Sequence, residues 1–246
     1  MWNVPAISAL SGLATPFGAA LVLTFRTWSK AALAFMLALA SGVMLAVVMT
    51  QLMPTSVRAG SWWWFALGSS VGLSLMFWID DLRAVHPAEP VDPPSDQARL
   101  RVTGQAIAVA LAIHNLPEGM AIGAGSAIQA RLAVIIATAM ALHNLPQGMS
   151  VAAPLASGGM PRRKILALTI LISAVIPLGS LIPLLVGHMS PRVNAFMLAL
   201  ASGVMLYVVF RHTMPEAWRC QKFFSTLGGL LTGILLMLAL AGAHVH

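Results

Sequence analysis

Two copies of one short motif bring histidine together with a carboxylate or an amide at a fixed spacing. The segment HNLPEGM begins at His114, and its near copy HNLPQGM begins 29 residues later, at His143. Residues four apart share one face of a helix, so His114 is predicted to lie beside Glu118 and His143 beside Gln147. Imidazole and carboxylate groups suit divalent first-row metals. The paired motifs therefore predict a metal-binding site.

Both motifs lie inside long apolar runs, and Glu118 is the only carboxylate within any such run. An ionisable group in hydrocarbon is costly, and it usually marks a functional site. If the two helices face each other, the two histidines, Glu118 and Gln147 converge. Asn115 and Asn144 lie one position further on, about 100° around each helix, and are expected to line a second, oxygen-rich position. The prolines of the two motifs are expected to kink their helices.

Two other interpretations of the motif are weaker. The first is that each histidine only packs and forms a hydrogen bond. This does not explain why the motif occurs twice, or why one copy carries the only carboxylate found within an apolar run. An intramembrane metalloprotease needs HExxH, with two ligands and a base on one helix, and the sequence contains no such segment. Neither Ser/His nor paired-Asp arrangements occur inside the apolar runs. The chain is therefore predicted not to be an enzyme.

The composition predicts an all-α integral membrane protein that forms a single domain over residues 1–246. Of its residues, 59% are hydrophobic and 9% are charged, whereas soluble domains carry about 25% charged residues. A bilayer-crossing helix takes about 20 apolar residues. The predicted spans are 5–25, 31–53, 61–79, 102–126, 132–154, 165–187, 193–211 and 223–243.

Charge placement favours lipid over nucleic acid as the partner of this basic chain. The net charge is +7, but Lys and Arg flank the apolar runs, where they meet headgroups. If both termini lie outside the cytoplasm, only Arg58, Arg131 and Arg192 of the 14 basic residues face outward. The positive-inside rule thus predicts that orientation. Residues 80–101 hold five of the seven acidic residues and a Pro-rich run, and they are predicted to form a hydrophilic cytoplasmic loop.

An internal repeat relates the first three spans to the last three. The eleven residues 35–45 recur letter for letter as 196–206, an offset of 161 residues. The same offset maps Pro16 onto Pro177 and Gly68 onto Gly229. The first copy starts at the first span and the second copy at the sixth. An odd number of crossings lies between these two starts, so the copies must cross the membrane in opposite directions. This predicts an inverted repeat, a common construction of secondary transporters with a midplane site.

The paired motifs, the eight spans and the 3+2+3 repeat resemble the ZIP family of zinc and iron transporters. The resemblance covers essentially the whole chain. It implies import of a divalent cation, zinc first and iron, manganese or cadmium as alternatives, by alternating access, with no cofactor other than the transported ion. It implies that helices 1, 4, 5 and 6 move against 2, 3, 7 and 8. Its metal site lies between helices 4 and 5, with the ligands His114, Asn115, Glu118, His143, Asn144 and Gln147.

The chain departs from the family at acidic positions. Gln147 stands where the family usually has glutamate, and Ile176 where members often carry an acid. A site with one carboxylate offsets less of the dication's desolvation. This predicts a single metal rather than a pair, with either weaker binding or a preference for a softer ion. His212, at the inner end of the seventh span, is a candidate exit-path ligand.

Two alternatives remain: the same fold with altered or lost transport, and a membrane metal sensor or scaffold. A sensor predicts an output domain or a long regulated loop, and the chain offers only residues 80–101. Its compact length favours a bacterial inner membrane, and such proteins often form homodimers.

Overall fold

The computed structural model describes residues 4–24, 29–85, 96–186 and 190–242. In these ranges every regular element is helical, and eight helices are long and apolar enough to cross a membrane. This confirms the predicted fold class. The helices are α1 (Val4–Thr24), α2 (Lys30–Ala59), α3 (Trp62–Val85), α4 (Asp96–Ile128), α5 (Ala130–Ser157), α6 (Arg162–Val186), α7 (Pro191–Arg219) and α8 (Phe223–Gly242).

The predicted loop over residues 80–101 is too long at both ends. Helix α3 continues to Val85 and α4 begins at Asp96. The physical reason is visible at Asp80, which is paired rather than solvated. Its Oδ2 accepts a hydrogen bond from the Tyr207 hydroxyl at 2.8 Å and lies 2.9 Å from Nε2 of His212. The acidic side chain therefore joins α3 to α7. The interior of the predicted loop, 86–95, lies outside the described residues.

Helices α1 and α6 are each interrupted three residues before a proline, Pro16 or Pro177, which cannot donate to the carbonyl of Gly12 or Ser173. Helix α1 has a turn at Leu13, and α6 has a turn at Ala174, 161 residues later. Helices α2 and α7 contain wide π turns at Val48–Leu52 and Val209–Thr213, again 161 residues apart. The interruptions thus follow the offset of the sequence repeat. The opposite membrane orientation of the two copies stays a prediction.

Helices α2, α4, α5 and α7 each continue through a proline. The predicted ends of α2 at residue 53 and of α7 at residue 211 are wrong, because both helices continue for about two turns. Pro54 and Pro215 occupy the first turn of the segment after the π turn, where a missing N–H costs little. Helices α4 and α5 remain helical through Pro117 and Pro146, and the kinks expected there stay a prediction.

Glycines set the closest contacts around α4 and α5. A Cβ atom added at Gly148 would overlap the carbonyl oxygen of Thr15, so α5 packs directly on α1. A Cβ atom added at Gly119 would overlap the carbonyl oxygen of Ile176, so α4 packs directly on α6. Small residues permit such close approach of helix backbones. Helices α1, α4, α5 and α6 therefore form one tightly packed group.

The other four helices also pack closely through glycine residues. Gly42 of α2 lies against the carbonyl oxygen of Leu230 in α8. Gly203 of α7 lies against the carbonyl oxygen of Ser69 in α3. The main apolar core, which includes Met44, lies where α2 and α7 meet α4 and α5. This places the two motif helices at the boundary between the two groups.

Candidate metal centre

Helices α4 and α5 bring together the four side chains that the motif spacing predicts. His114 and Glu118 come from α4, and His143 and Gln147 come from α5. All four are buried, and Glu118 is only 1% exposed. Groups of this polarity are buried only when a partner compensates for lost hydration. The position is therefore suited to a ligand rather than to simple packing.

The polar atoms of these side chains converge. Nε2 of His143 lies 3.3 Å from Oε1 of Glu118. The amide nitrogen Nε2 of Gln147 lies 2.7 Å from Nε2 of His114 and also contacts Nε2 of His143. One ligand atom each from His114, Glu118 and His143 lies within 4.8 Å of the others, the one such group of three found among the described residues. We call these three residues with Gln147 the metal quartet.

Several acceptor atoms of the quartet have no hydrogen-bond donor among the described residues. They include both carboxylate oxygens of Glu118 and Oε1 of Gln147, all buried. An unsatisfied buried acceptor costs about 1–3 kcal/mol, and more when charged. A divalent cation satisfies such atoms. Two imidazoles, a carboxylate and an amide oxygen form a ligand set that suits zinc.

Asn115 and Asn144 make contacts that motif spacing did not predict. Nδ2 of Asn115 donates to the carbonyl oxygen of Ile172 at 3.0 Å, and Nδ2 of Asn144 donates to that of Ser11 at 3.4 Å. Both acceptors lie two residues before an interruption, in α6 and α1 respectively. Helix ends leave carbonyls unpaired. The two amides therefore hold interrupted helices to α4 and α5. Their Oδ1 atoms are buried without a partner among the described residues.

A cavity of about 200 Å³ extends from the quartet toward the end of α7. Its polar lining includes His114, Gln147, Ser150, Arg211, His212 and Glu216. His212, the candidate exit ligand, thus lines the same cavity as His114. Ser150 was missed by sequence reasoning, although it follows Gln147 by three residues and so lies on the same helix face. The cavity, whose lining combines these polar groups with a larger apolar surface, connects the quartet to one end of the bundle.

Comparison with known proteins identifies the family. The family model described as ZIP zinc transporter matches residues 86–241. A protein of Chlorobium luteolum named zinc transporter ZupT is 33% identical, with 94% of this chain and 94% of the relative covered. Proteins of the same name from Corynebacterium glutamicum and Streptococcus mutans are 33% and 30% identical, and each comparison covers 94% of this chain and at least 93% of the relative. This chain is a multi-pass membrane protein that belongs to the ZIP zinc transporter family.

Proposed function

We propose that this protein carries a divalent cation, zinc in the first place, across the membrane through the metal quartet. The observation that carries the proposal is the convergence of two imidazoles on a buried carboxylate without a donor. Relatives named zinc transporters support zinc as the cation. Family membership does not favour the alternatives of a sensor or a scaffold.

The amide of Gln147 prepares the two histidines for a cation. Its nitrogen faces Nε2 of both His114 and His143, an arrangement that matches imidazoles with their protons on Nδ1. Both lone pairs then point toward the centre of the quartet, as metal ligation requires. A half-turn of the amide exchanges nitrogen for oxygen and completes the ligand set. Cation binding would thus replace two hydrogen bonds with coordination.

A single bound cation fits the charges around the quartet. Glu118 supplies the only negative charge, and Ile176, which packs against Gly119 from α6, is apolar and fully buried. Asn115 and Asn144 already use their amide nitrogens on neighbouring helices. A second dication beside the first would have no further carboxylate to offset its charge. We therefore assign the quartet one ion.

Gln147→Glu is expected to tighten zinc binding about tenfold, because a charge-assisted ligand replaces a neutral one. Competition of zinc with a fluorescent chelator on purified protein measures this. Gln105→Glu makes the same exchange on an exposed face of α4, away from the quartet, and should leave affinity unchanged. An equal affinity in wild type and Gln147→Glu would place Gln147 outside the coordination shell.

The cavity supports release of the ion toward the cytoplasm. It opens at the end of α7 that carries Arg211 and Arg219, and basic residues favour the cytoplasmic face. We place both termini outside the cytoplasm and the protein in a bacterial inner membrane. Alternating access would then move the group of α1, α4, α5 and α6 against the rest. Large exposed apolar side chains on α3 and α8, such as Trp63 and Phe224, suit contact with lipid or with a second copy.

A cysteine placed at Ser150 tests this access route. In a Cys220→Ser background, Ser150→Cys should react with a membrane-impermeant maleimide from the cytoplasmic face, and zinc should slow the reaction. Thr50→Cys, near the opposite end of the bundle, is the control and should react only from the outer face. Labelling of Ser150→Cys from outside alone would reverse the proposed orientation or the proposed open side.

A further inference from the structure

A second and larger cavity lies at the other end of the bundle, remote from the quartet. Its volume is about 600 Å³, and it is formed by the ends of α2, α4 and α8 and the start of α5. We call it the arginine vestibule, because Arg58 and Arg131 both line it. The described residues that line it include no acid. Under the predicted orientation, this end faces outward.

The two arginines have no partner within the described residues. Neither forms an ion pair or a side-chain hydrogen bond there, and both are exposed to the vestibule. Each guanidinium presents a planar set of donors that matches the oxygens of a phosphate or carboxylate. Two like charges in one cavity also repel unless an anion lies between them. The two guanidinium groups are thus the only charged side chains among the described residues that line the vestibule, and they offer paired donors to an oxyanion.

The backbone and a buried hydroxyl add further donors. Helix α5 begins at Ala130 after an extended Gln129 whose side chain makes no cap. The first backbone N–H groups of α5 carry partial positive charge and bind anions, whereas the last carbonyls of α2, α4 and α8 at this end carry partial negative charge, so the arginines supply most of the attraction. Thr55, only 8% exposed, lines the vestibule and makes no side-chain hydrogen bond to the described residues. The donors therefore come from three sources in one cavity.

The rest of the lining is apolar. Ile128, Leu132, Ile135 and Ala241 form a wall beside the arginines. The helix ends place this cavity at the predicted surface of the bilayer, where phospholipid phosphates and free ions are both present. A lipid phosphate with its glycerol would use the donors and the apolar wall together, whereas a free ion would use the donors alone.

We propose that the arginine vestibule binds a phosphate-type oxyanion between Arg58 and Arg131. The anion neutralises the two arginines of the vestibule, at the end where a cation would approach under the proposed direction of transport. The binding itself does not depend on transport, so it is tested separately from the proposed function.

The test uses the full-length protein purified in a neutral detergent. One arm measures the thermal unfolding midpoint with inorganic phosphate against chloride of equal ionic strength. The other arm measures retention of phosphatidylglycerol against phosphatidylcholine by native mass spectrometry. We expect the wild type to bind in at least one arm, and Arg58→Gln with Arg131→Gln to weaken that binding at least about tenfold. Binding in the phosphate arm alone identifies a free anion, and binding in the lipid arm identifies a headgroup.

Arg192→Gln is the matched control, since it removes an exposed arginine on α7 that does not line the vestibule. It should bind like the wild type. Arg58→Lys keeps the charge but loses the planar donor set, so it should bind between the wild type and the double variant. The proposal is overturned if the wild type binds in neither arm, or if the double variant binds as the wild type does.

Discussion

Glu118→Gln is expected to lower zinc uptake into reconstituted vesicles at least about 100-fold, since even outer-shell substitutions at metal sites cost about 10–100-fold. Glutamine keeps the shape of the side chain but removes the only charge that the quartet offers a dication. Glu118 is buried and lies 3.3 Å from Nε2 of His143, and among the described residues no second carboxylate joins the group. Uptake of radioactive zinc against a concentration series gives the result directly.

Asp81→Asn is the control for that experiment. It makes the matching acid-to-amide change at an exposed position near the end of α3. Vesicles with this variant should take up zinc at the wild-type rate. If Glu118→Gln took up zinc at the wild-type rate, the quartet would not lie on the transport route. The family assignment would be unaffected by that result.

Gly148→Ala is expected to destabilise the fold by about 3 kcal/mol, the upper range for added atoms in a packed core. The new methyl group would overlap the carbonyl oxygen of Thr15, a backbone atom that no rotamer change can move. Helices α1 and α5 would have to separate, and Asn144 would lose its contact with Ser11. Equilibrium unfolding in mixed detergent and denaturant measures the loss of unfolding free energy.

Gly228→Ala provides the opposite case on α8. No described atom lies within 4 Å of a Cβ atom added there. Alanine also favours a helix over glycine by up to about 1 kcal/mol. This variant should therefore be as stable as the wild type or slightly more stable. Equal stability of the two variants would show that α1 and α5 do not pack as closely as the structure indicates.

Local periodicity and composition were enough to predict the eight spans and the pairing within each motif. A spacing of four residues places His114 beside Glu118 whatever the rest of the chain does, because it follows from helix geometry alone. The antiparallel pairing of α4 and α5 then follows from their short connection. Features that depend on one helix, or on two helices joined by a short connection, could therefore be predicted from the sequence.

Features that depend on contacts between distant helices could not be predicted in the same way. The interruptions at Leu13 and Ala174 come three residues before Pro16 and Pro177, whose missing N–H groups leave the carbonyls of Gly12 and Ser173 without a helical donor, so their positions follow from local rules. The contacts that support them do not. These are amide contacts from Asn144 and Asn115 across to α1 and α6. Local composition places Asp80 in a solvated loop, because its partners on α7 lie more than 120 residues away, at Tyr207 and His212.

The number and place of bound zinc ions test the central claim most directly. Purified protein is equilibrated with zinc, freed of excess metal on a desalting column, and assayed for metal per chain by mass spectrometry. We predict close to one zinc per chain for the wild type and background metal for Glu118→Gln, with Asp81→Asn unchanged. Retention of the full wild-type zinc content by Glu118→Gln would contradict a metal centre at the quartet.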